Sequence, residues 1–221
     1  ELDTDFTIAC PSFPDAGRTV YYGHMFVKGV PLNESGMENH PLTPMTDHNL
    51  VRWFDYQTNG KVGLINFNDI SGGTTSVKSK ISSLKKEGYK YAIVDTNTND
   101  DFDIICEGIK ELPLLTGGSG IALGLPKIYK DKGMLSTINF DIPENNSNAV
   151  ILSGSCSTAT INQVNIYKKN NPSYYLSPDE VIKNKTLVED VFLWIKENEK
   201  LSPIIYSSSD PLLVSKKQKE Y

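Results

Sequence analysis

Residues 150–158 read VILSGSCST, and this stretch decides the fold class. Its first three residues predict a short buried parallel strand, and the small residues after them predict a tight turn. A helical pattern follows at once, with Ser157 or Thr158 as the cap. Such a strand–turn–helix unit points backbone N–H groups and a helix N-terminus at one spot, which favours a bound phosphate. An ordinary β–α turn with hydroxyl caps explains the same residues, so both interpretations stay open.

Upstream of this stretch, strands and helices alternate. Strand patterns cover residues 6–10, 62–67, 91–94 and 114–115, and helical patterns cover residues 46–57, 75–87 and 101–112. Residues 19–27 break the alternation and predict a β-hairpin insertion. Repeated β–α units predict a parallel sheet covered by helices, on which ligands bind at the carboxyl ends of the strands. Asp95 and the loop Thr116-Gly117-Gly118-Ser119-Gly120 both follow predicted strands, so both are candidate site elements.

The chain loses its periodicity between Gly124 and Asn148, which favours a linker there. Alternation then resumes, with strands predicted at 149–153, 174–176 and 204–206, and helices at 158–170, at 186–199 and after Pro211. Three strands rarely complete a doubly wound sheet. We therefore predict an α/β fold of two three-layer αβα units with mainly parallel sheets, a β-hairpin insertion in the first, and the second incomplete.

Composition narrows the function classes. The 221 residues carry a formal charge of -5, with 38% hydrophobic and 22% charged residues, and this balance argues against a nucleic-acid partner. No apolar run is long enough to span a bilayer, so we predict no membrane partner. Three isolated cysteines predict a reducing compartment, and we interpret the protein as cytoplasmic. The three histidines lack metal-ligand spacing, so we predict no protein-held metal site. Because the chain starts at Glu1 and ends at Tyr221, we expect a piece cut from a longer protein.

Four strings carry a specific resemblance: PSFPDAGRTVYYGHMFV (11–27), PLNESGMENHPLTPM (31–45), TGGSG (116–120) and VILSGSCSTATINQV (150–164). In this order and with these gaps, the chain resembles the four-carbon acid sugar kinases, and within them the 3-oxo-tetronate kinase branch. The resemblance covers nearly the whole chain and is weakest over 124–148.

The resemblance implies an activity for the protein and a separate binding function for each half of the chain. It implies ATP-dependent phosphorylation of the terminal hydroxyl of a small-molecule sugar acid such as 3-oxo-tetronate, with Mg²⁺. Residues 1–123 correspond to the C-terminal half of a sugar-acid-binding domain, 124–148 to a linker, and 149–221 to the N-terminal half of a nucleotide-binding domain. A homodimer stays open as the assembly.

The resemblance also assigns roles to residues. The implied acid-binding residues are Arg18, Asp95, Gly117, Gly118, Ser119 and Gly120. The implied nucleotide-binding residues are Ser153, Gly154, Ser155 and Ser157. Arg18 would hold the carboxylate of the acid because its guanidinium fork is bidentate; an exposed surface ion pair is the simpler interpretation of that arginine.

Three departures from the family pattern limit these implications. An Asp-Asp-x-Thr-Gly strand end and a Gly-Gly-Glu/Asp-Thr nucleotide loop do not occur in the 221 residues. We therefore expect the catalytic carboxylate to lie outside them, and we expect no kinase activity from this chain alone. Asn39-His40-Pro41 replaces an Asp-Pro found in many relatives, which leaves the exact acid open.

Two other functions compete with the kinase. One is a non-catalytic sugar-acid-binding module on the same scaffold. The other is a small-molecule hydrolase with Ser155 or Cys156 as nucleophile, although GxSxG does not occur in the sequence.

Overall fold

The structure is a computed structural model, and it describes residues 3–40, 42–136 and 147–209. The chain divides into two compact units, residues 1–139 (the first unit) and residues 140–221 (the second unit). Both units are α/β, as predicted, and each is described by itself. The domain boundaries at 123 and 149 stay predictions.

The first unit contains one parallel and one antiparallel sheet. Its strands are β1 (Thr7–Cys10), β2 (Arg18–Tyr21), β3 (His24–Val27), β4 (Val30–Pro31), β5 (Val62–Ile65), β6 (Tyr91–Val94) and β7 (Leu115–Gly117). Four of them form the parallel sheet in the order β5-β6-β1-β7. The predicted hairpin insertion is a three-stranded antiparallel sheet, β2-β3-β4.

Five α-helices connect these strands: α1 (Leu50–Asp55), α2 (Phe67–Ser71), α3 (Gly73–Lys86), α4 (Asp101–Ile109) and α5 (Leu125–Asp131). Helix α1 begins later than predicted because Asn49 caps it, accepting the Arg52 N–H, whereas Asp47 binds the Arg52 guanidinium. Helix α5 corrects our prediction of an irregular linker over 124–148. It forms because Ile128 packs into the core of the first unit, and a proline in the first turn is compatible with a helix start.

Alternation along the strands gives the parallel sheet two apolar faces. One face packs against α3, α4 and α5 through a core that includes Ile8, Cys10 and Phe102. The other face packs against α1 and the antiparallel sheet through Val20, Leu50 and Ile93. Because both faces are covered, the loops at the ends of the strands are left to form a site.

The described residues of the second unit form a three-stranded parallel sheet and three α-helices. In chain order these are β8 (Ile151–Ser153), α6 (Thr158–Tyr167), β9 (Ser173–Tyr175), α7 (Pro178–Lys183), α8 (Leu187–Asn198) and β10 (Ile204–Tyr206). The strand order is β8-β10-β9, so the parallel pairing that we predicted is confirmed. Helix α7 was not predicted.

Strand β8 is not buried, which corrects the prediction for residues 150–152. Leu152 is 76% exposed, because β8 is an edge strand of its sheet and no described residue of this unit covers that side chain. The helix predicted after Pro211 lies outside the described residues. Among the described residues, no helix is both long and apolar enough to cross a membrane.

Candidate functional site

The loops after β1 and β7 meet at the carboxyl edge of the first unit's parallel sheet. The Gly118 N–H donates to the Cys10 carbonyl oxygen at 3.0 Å, which ties the start of one loop to the end of the neighbouring strand. Gly118 also approaches Pro11 closely, since a Cβ there would lie 3.1 Å from the Pro11 carbonyl oxygen. The predicted TGGSG loop is therefore at a strand end, beside the loop that follows β1.

The glycines of this loop serve its packing. A Cβ at Gly117 would overlap the Cys10 carbonyl oxygen, and one at Gly120 would overlap the Ser12 carbonyl oxygen. Only hydrogen at these positions lets the two backbones lie so close. The amide predicted to bind the acid at Gly118 is already used on Cys10. The Ser119 and Gly120 N–H groups start a 3₁₀ helix, Ser119–Leu123, where a first-turn donor has no acceptor within the helix.

Arg18, the first residue of β2, is connected to the same loop through Phe13. Its backbone exchanges two hydrogen bonds with Phe13, at 2.8 and 3.0 Å, and the Phe13 Cα would lie 3.1 Å from a Cβ at Gly120. The side chain is exposed, and no described residue forms an ion pair with it. This leaves the guanidinium able to take a carboxylate from solution.

Asp95 is fully buried, which corrects the prediction that it contacts the acid. Its Oδ2 accepts the N–H groups of Tyr22 at 2.6 Å and Phe67 at 2.8 Å, and its Oδ1 accepts the Gly23 N–H at 2.8 Å. Burial raises the pKa of the Asp95 carboxyl, and the three donors oppose that rise. With 0% exposure and both oxygens occupied, this carboxylate binds backbone, not substrate.

The turn that Asp95 holds has an unusual backbone. Tyr22 and Gly23 connect β2 to β3, with φ angles of 47° and 75°. Two positive φ angles are typical of a type I′ hairpin turn, for which glycine or asparagine is the usual first residue. A tyrosine in this conformation costs on the order of 1 kcal/mol. The two N–H bonds to Asp95 offset that cost.

Three buried polar atoms near this edge were missed by the sequence reasoning. Ser12 Oγ, in the loop after β1, and Asn97 Nδ2 and Asn99 Oδ1, in the segment after β6, have no hydrogen-bond partner among the described residues. Buried polar groups are normally paired, so unpaired ones mark a place where a ligand or water completes the set. The sequence signal was the polar string 95–101, DTNTNDD, directly after a strand.

A pocket of about 300 Å³ lies beside these loops, on the face that α1 covers. Pro11, Thr116 and Gly117 line it together with the ring of Trp53, whose Nε1 is buried and without a partner. Its walls are mostly apolar. Such a lining does not recognise a carboxylate.

In the second unit, the loop after β8 borders a pocket of about 450 Å³. Ser153, Gly154 and Ser155 line it, as the phosphate-site prediction requires, whereas Ser157 does not. The Ser157 hydroxyl instead accepts the Thr160 N–H at 3.2 Å and caps α6. The Ser155 hydroxyl accepts the Ser157 N–H at 3.2 Å, and Ser153 bonds to the hydroxyl of Ser208 at 2.9 Å.

The donors that remain for an anion include backbone groups at the start of α6. The first two N–H groups of α6, from Thr158 and Ala159, precede the first intrahelical bond and point out of the helix start. The described residues contain no cluster of three or more His, Cys, Asp or Glu side chains that could hold a metal ion.

Comparisons with known proteins match two domain families, one after the other along the chain. A domain family described as "Sugar-binding N-terminal domain" matches residues 1–125, and one described as "Nucleotide-binding C-terminal domain" matches residues 150–221. The chain is 42% identical to the 3-oxo-tetronate kinase of Pseudomonas savastanoi pv. phaseolicola over 222 aligned positions, covering 100% of the chain and 52% of the relative. It is 41% identical to the 3-oxo-tetronate kinase of Burkholderia multivorans, covering 93% of the chain and 49% of the relative.

A solved structure shows the same fold. A crystal structure of a Haemophilus influenzae protein superimposes with a TM-score of 0.61 at 35% identity, covering 98% of the chain and 52% of that protein. The chain thus spans about half the length of the curated relatives it matches. Because the sugar-binding family alone matches more than half of the 221 residues, the chain belongs to the four-carbon acid sugar kinase family.

Proposed function

We propose that the protein transfers a phosphoryl group from ATP to the terminal hydroxyl of a four-carbon sugar acid such as 3-oxo-tetronate. The first unit binds the acid, and the second unit binds the nucleotide. The observation that carries the proposal is the match of the whole chain, at 42% identity, to a protein named 3-oxo-tetronate kinase. The two domain families matched along the chain support the same assignment of units.

The first unit offers the chemistry that an acid needs. The exposed Arg18 supplies a bidentate partner for the carboxylate, and the Ser119 and Gly120 N–H groups supply donors for its oxygens. The half-buried Asn97 and Asn99 add unpaired polar atoms after β6 that suit hydroxyl groups. Phosphoryl transfer depends mostly on positioning and charge neutralisation, so fixing the acid is the main task of this unit.

The second unit suits the phosphates of ATP. The pocket beside Ser153, Gly154 and Ser155 meets the start of α6, where the helix dipole and free N–H groups both favour negative charge. ATP brings Mg²⁺ with it, since this ion keeps several waters and is held largely by substrate phosphates. When bound, Mg²⁺ neutralises charge on the phosphates; the residues described here hold the nucleotide, not the ion.

The test is release of ADP by the complete gene product supplied with ATP, Mg²⁺ and a panel of four-carbon acids. We expect turnover with at least one acid and none without acid. ATP hydrolysis that does not depend on any acid would contradict the proposal. The 221-residue chain is assayed in parallel, and we expect no turnover from it, because Asp95, the one carboxylate that we had placed at a strand end, is buried and occupied.

A non-catalytic acid-binding module gives a different result. It would bind an acid, seen as a shift in thermal unfolding of the chain, while the complete gene product released no ADP. The assay thus separates the two functions.

A further inference from the structure

We infer that Asp95 is a positioning residue of the acid site: it fastens the Tyr22–Gly23 turn, and through it strand β2 and Arg18, to the carboxyl edge of the parallel sheet. The inference rests on the proposed function, because it assigns the purpose of the fastening to acid binding. Asp95 itself touches neither substrate nor solvent.

Asp95 connects three parts of the first unit. It follows β6, and its carboxylate accepts N–H groups from the β2–β3 turn at Tyr22 and Gly23 and from the start of α2 at Phe67. A carboxylate suits this place because all three partners are donors and each oxygen must accept. An asparagine of the same shape has one oxygen only, so its amide nitrogen would face at least one N–H group.

Strand β2 has a second attachment next to the first. Val20 and Thr96 exchange two backbone hydrogen bonds, each at 3.0 Å, immediately beyond Asp95. The C-terminal half of β2 is thus held against the segment after β6. Tyr22 has a positive φ in this turn, a conformation that a tyrosine disfavours.

Arg18 lies at the other end of the same short strand. There Phe13 holds its backbone, and Phe13 belongs to the loop that packs on Gly120. Arg18 is therefore fixed by the β1 loop at one end of β2 and by Asp95 at the other. Loss of the Asp95 contacts frees the turn and lets the guanidinium move relative to the Gly117–Gly120 loop. A shift of about 1 Å at such a residue is enough to weaken binding strongly.

The experiment compares Asp95→Asn with the wild type in the complete gene product. We expect the KM for the acid to rise about tenfold or more, with the KM for ATP within about twofold of the wild type. In the 221-residue chain, we expect faster hydrogen exchange at the amides of Tyr22, Gly23 and Phe67. The matched control is Asp69→Asn, which makes the same change of charge at the capping box of α2 and leaves the hairpin contacts intact; we expect wild-type kinetics from it.

Each other outcome counts against the inference. Unchanged acid kinetics with faster exchange would show that the fastening does not serve acid binding. An equal rise in both KM values, or the same split from Asp69→Asn, would show a general structural effect. If the wild type shows no acid-dependent turnover, both the proposed function and the inference are wrong. If the wild type is active and Asp95→Asn has the same KM for the acid, only the inference is wrong.

A second variant keeps the test decisive where Asp95→Asn does not fold. Gly23→Ala strains the same turn without changing Asp95, because φ is positive there and the new Cβ would lie 3.1 Å from Val51 Cγ2. We expect the same selective rise in the KM for the acid. An unchanged acid KM in folded Gly23→Ala contradicts the inference.

Discussion

The two candidate ligand loops follow parallel strands and are rich in small residues, yet they are built differently. In the first unit, the loop Gly117–Gly120 lies directly on the backbone of residues 10–13, and a Cβ at Gly120 would overlap the Ser12 carbonyl oxygen. In the second unit, the nearest atom to a Cβ at Gly154 would be Ser207 Oγ at 3.7 Å, an ordinary contact. The first loop needs its glycines in order to fold, whereas the second has room at its glycine.

The two loops also differ in which hydrogen-bond donors are left for a ligand. In the first loop the Gly118 N–H donates to Cys10, and the Ser119 N–H that follows has no acceptor within the 3₁₀ helix. In the second loop, the Ser155 and Ser157 hydroxyl oxygens accept backbone N–H groups, and the first N–H groups of α6 have no acceptor within the helix. Small residues after a strand therefore serve two purposes. In the first loop they let another backbone pack closely, and in the second they border an open pocket.

The largest expected effect separates these two loops. We expect Gly120→Ala to destabilise the first unit by about 3 kcal/mol, because the new methyl group would overlap the Ser12 carbonyl oxygen and press on the ring of Phe102. Gly154→Ala is the matched control, with an expected change within about 0.5 kcal/mol in the second unit. Urea unfolding measures both changes.

Each unit carries one of the two tryptophans, Trp53 in the first and Trp194 in the second. Fluorescence of a Trp194→Phe background therefore reports the first unit, and that of a Trp53→Phe background reports the second. Equal losses of unfolding free energy from Gly120→Ala and Gly154→Ala would contradict the difference that we describe between the two loops.

Sequence patterns were sufficient for the elements whose signal is local. The strands at Tyr91–Val94 and Ile204–Tyr206 lie where alternation and β-branched residues predicted them. Helix α5 was missed because Pro126 and Gly133 hide a short helix that packs on the core through Ile128 and Leu125. The exposure of Leu152 was missed because hydrophobicity does not distinguish an edge strand from a central one.

The roles of site residues depended on distant partners, which one sequence does not show. Asp95 was placed correctly after a strand, but its partners Tyr22 and Gly23 lie more than 70 residues earlier in the chain. The same holds for Gly120 and Ser12. Ser157 was predicted both as a helix cap and as a phosphate ligand, and the structure shows the cap, which is the local role.

The second effect concerns Arg18 and tests which loop serves the acid. We expect Arg18→Ala in the complete gene product to raise the KM for the acid about tenfold, because a charge-assisted hydrogen bond to the carboxylate is lost. The KM for ATP should stay within about twofold. Lys28→Ala is the control, since Lys28 is an exposed cation that follows β3. A larger loss for ATP than for the acid would move Arg18 out of the acid site.

The third effect is confined to the second unit. We expect Ser157→Ala to cost about 1 kcal/mol of unfolding free energy, since the hydroxyl caps α6 by accepting the Thr160 N–H. Ser155→Ala should cost less, within about 0.5 kcal/mol, because its hydroxyl lies in an exposed turn. Urea unfolding of the Trp53→Phe background measures both losses. A larger loss from Ser155→Ala than from Ser157→Ala would contradict the assignment of Ser157 as the cap.

The smallest expected effect distinguishes the units by pH. All three histidines lie in the first unit, and the rings of His24 and His48 stack at 4.9 Å. Burial of His24, with His48 and Arg52 close by, lowers its pKa from 6.5, while Asp47 opposes this. Since the folded-state pKa lies below the unfolded-state value, the unfolded chain binds the proton first as the pH falls. The stability of the first unit is therefore complete above about pH 6.5 and declines as the pH falls towards the folded-state pKa.

The test of this pH effect uses His24→Gln, which removes the titrating group and keeps a polar side chain. In the Trp194→Phe background, we expect the variant to lose less unfolding free energy than the parent between about pH 7 and about pH 5.5. The Trp53→Phe background provides the internal control, because the second unit contains no histidine. An identical pH profile for the variant and its parent would show that protonation of His24 is not what weakens the first unit. A pH profile of the second unit as steep as that of the first would assign the effect to carboxylates common to both.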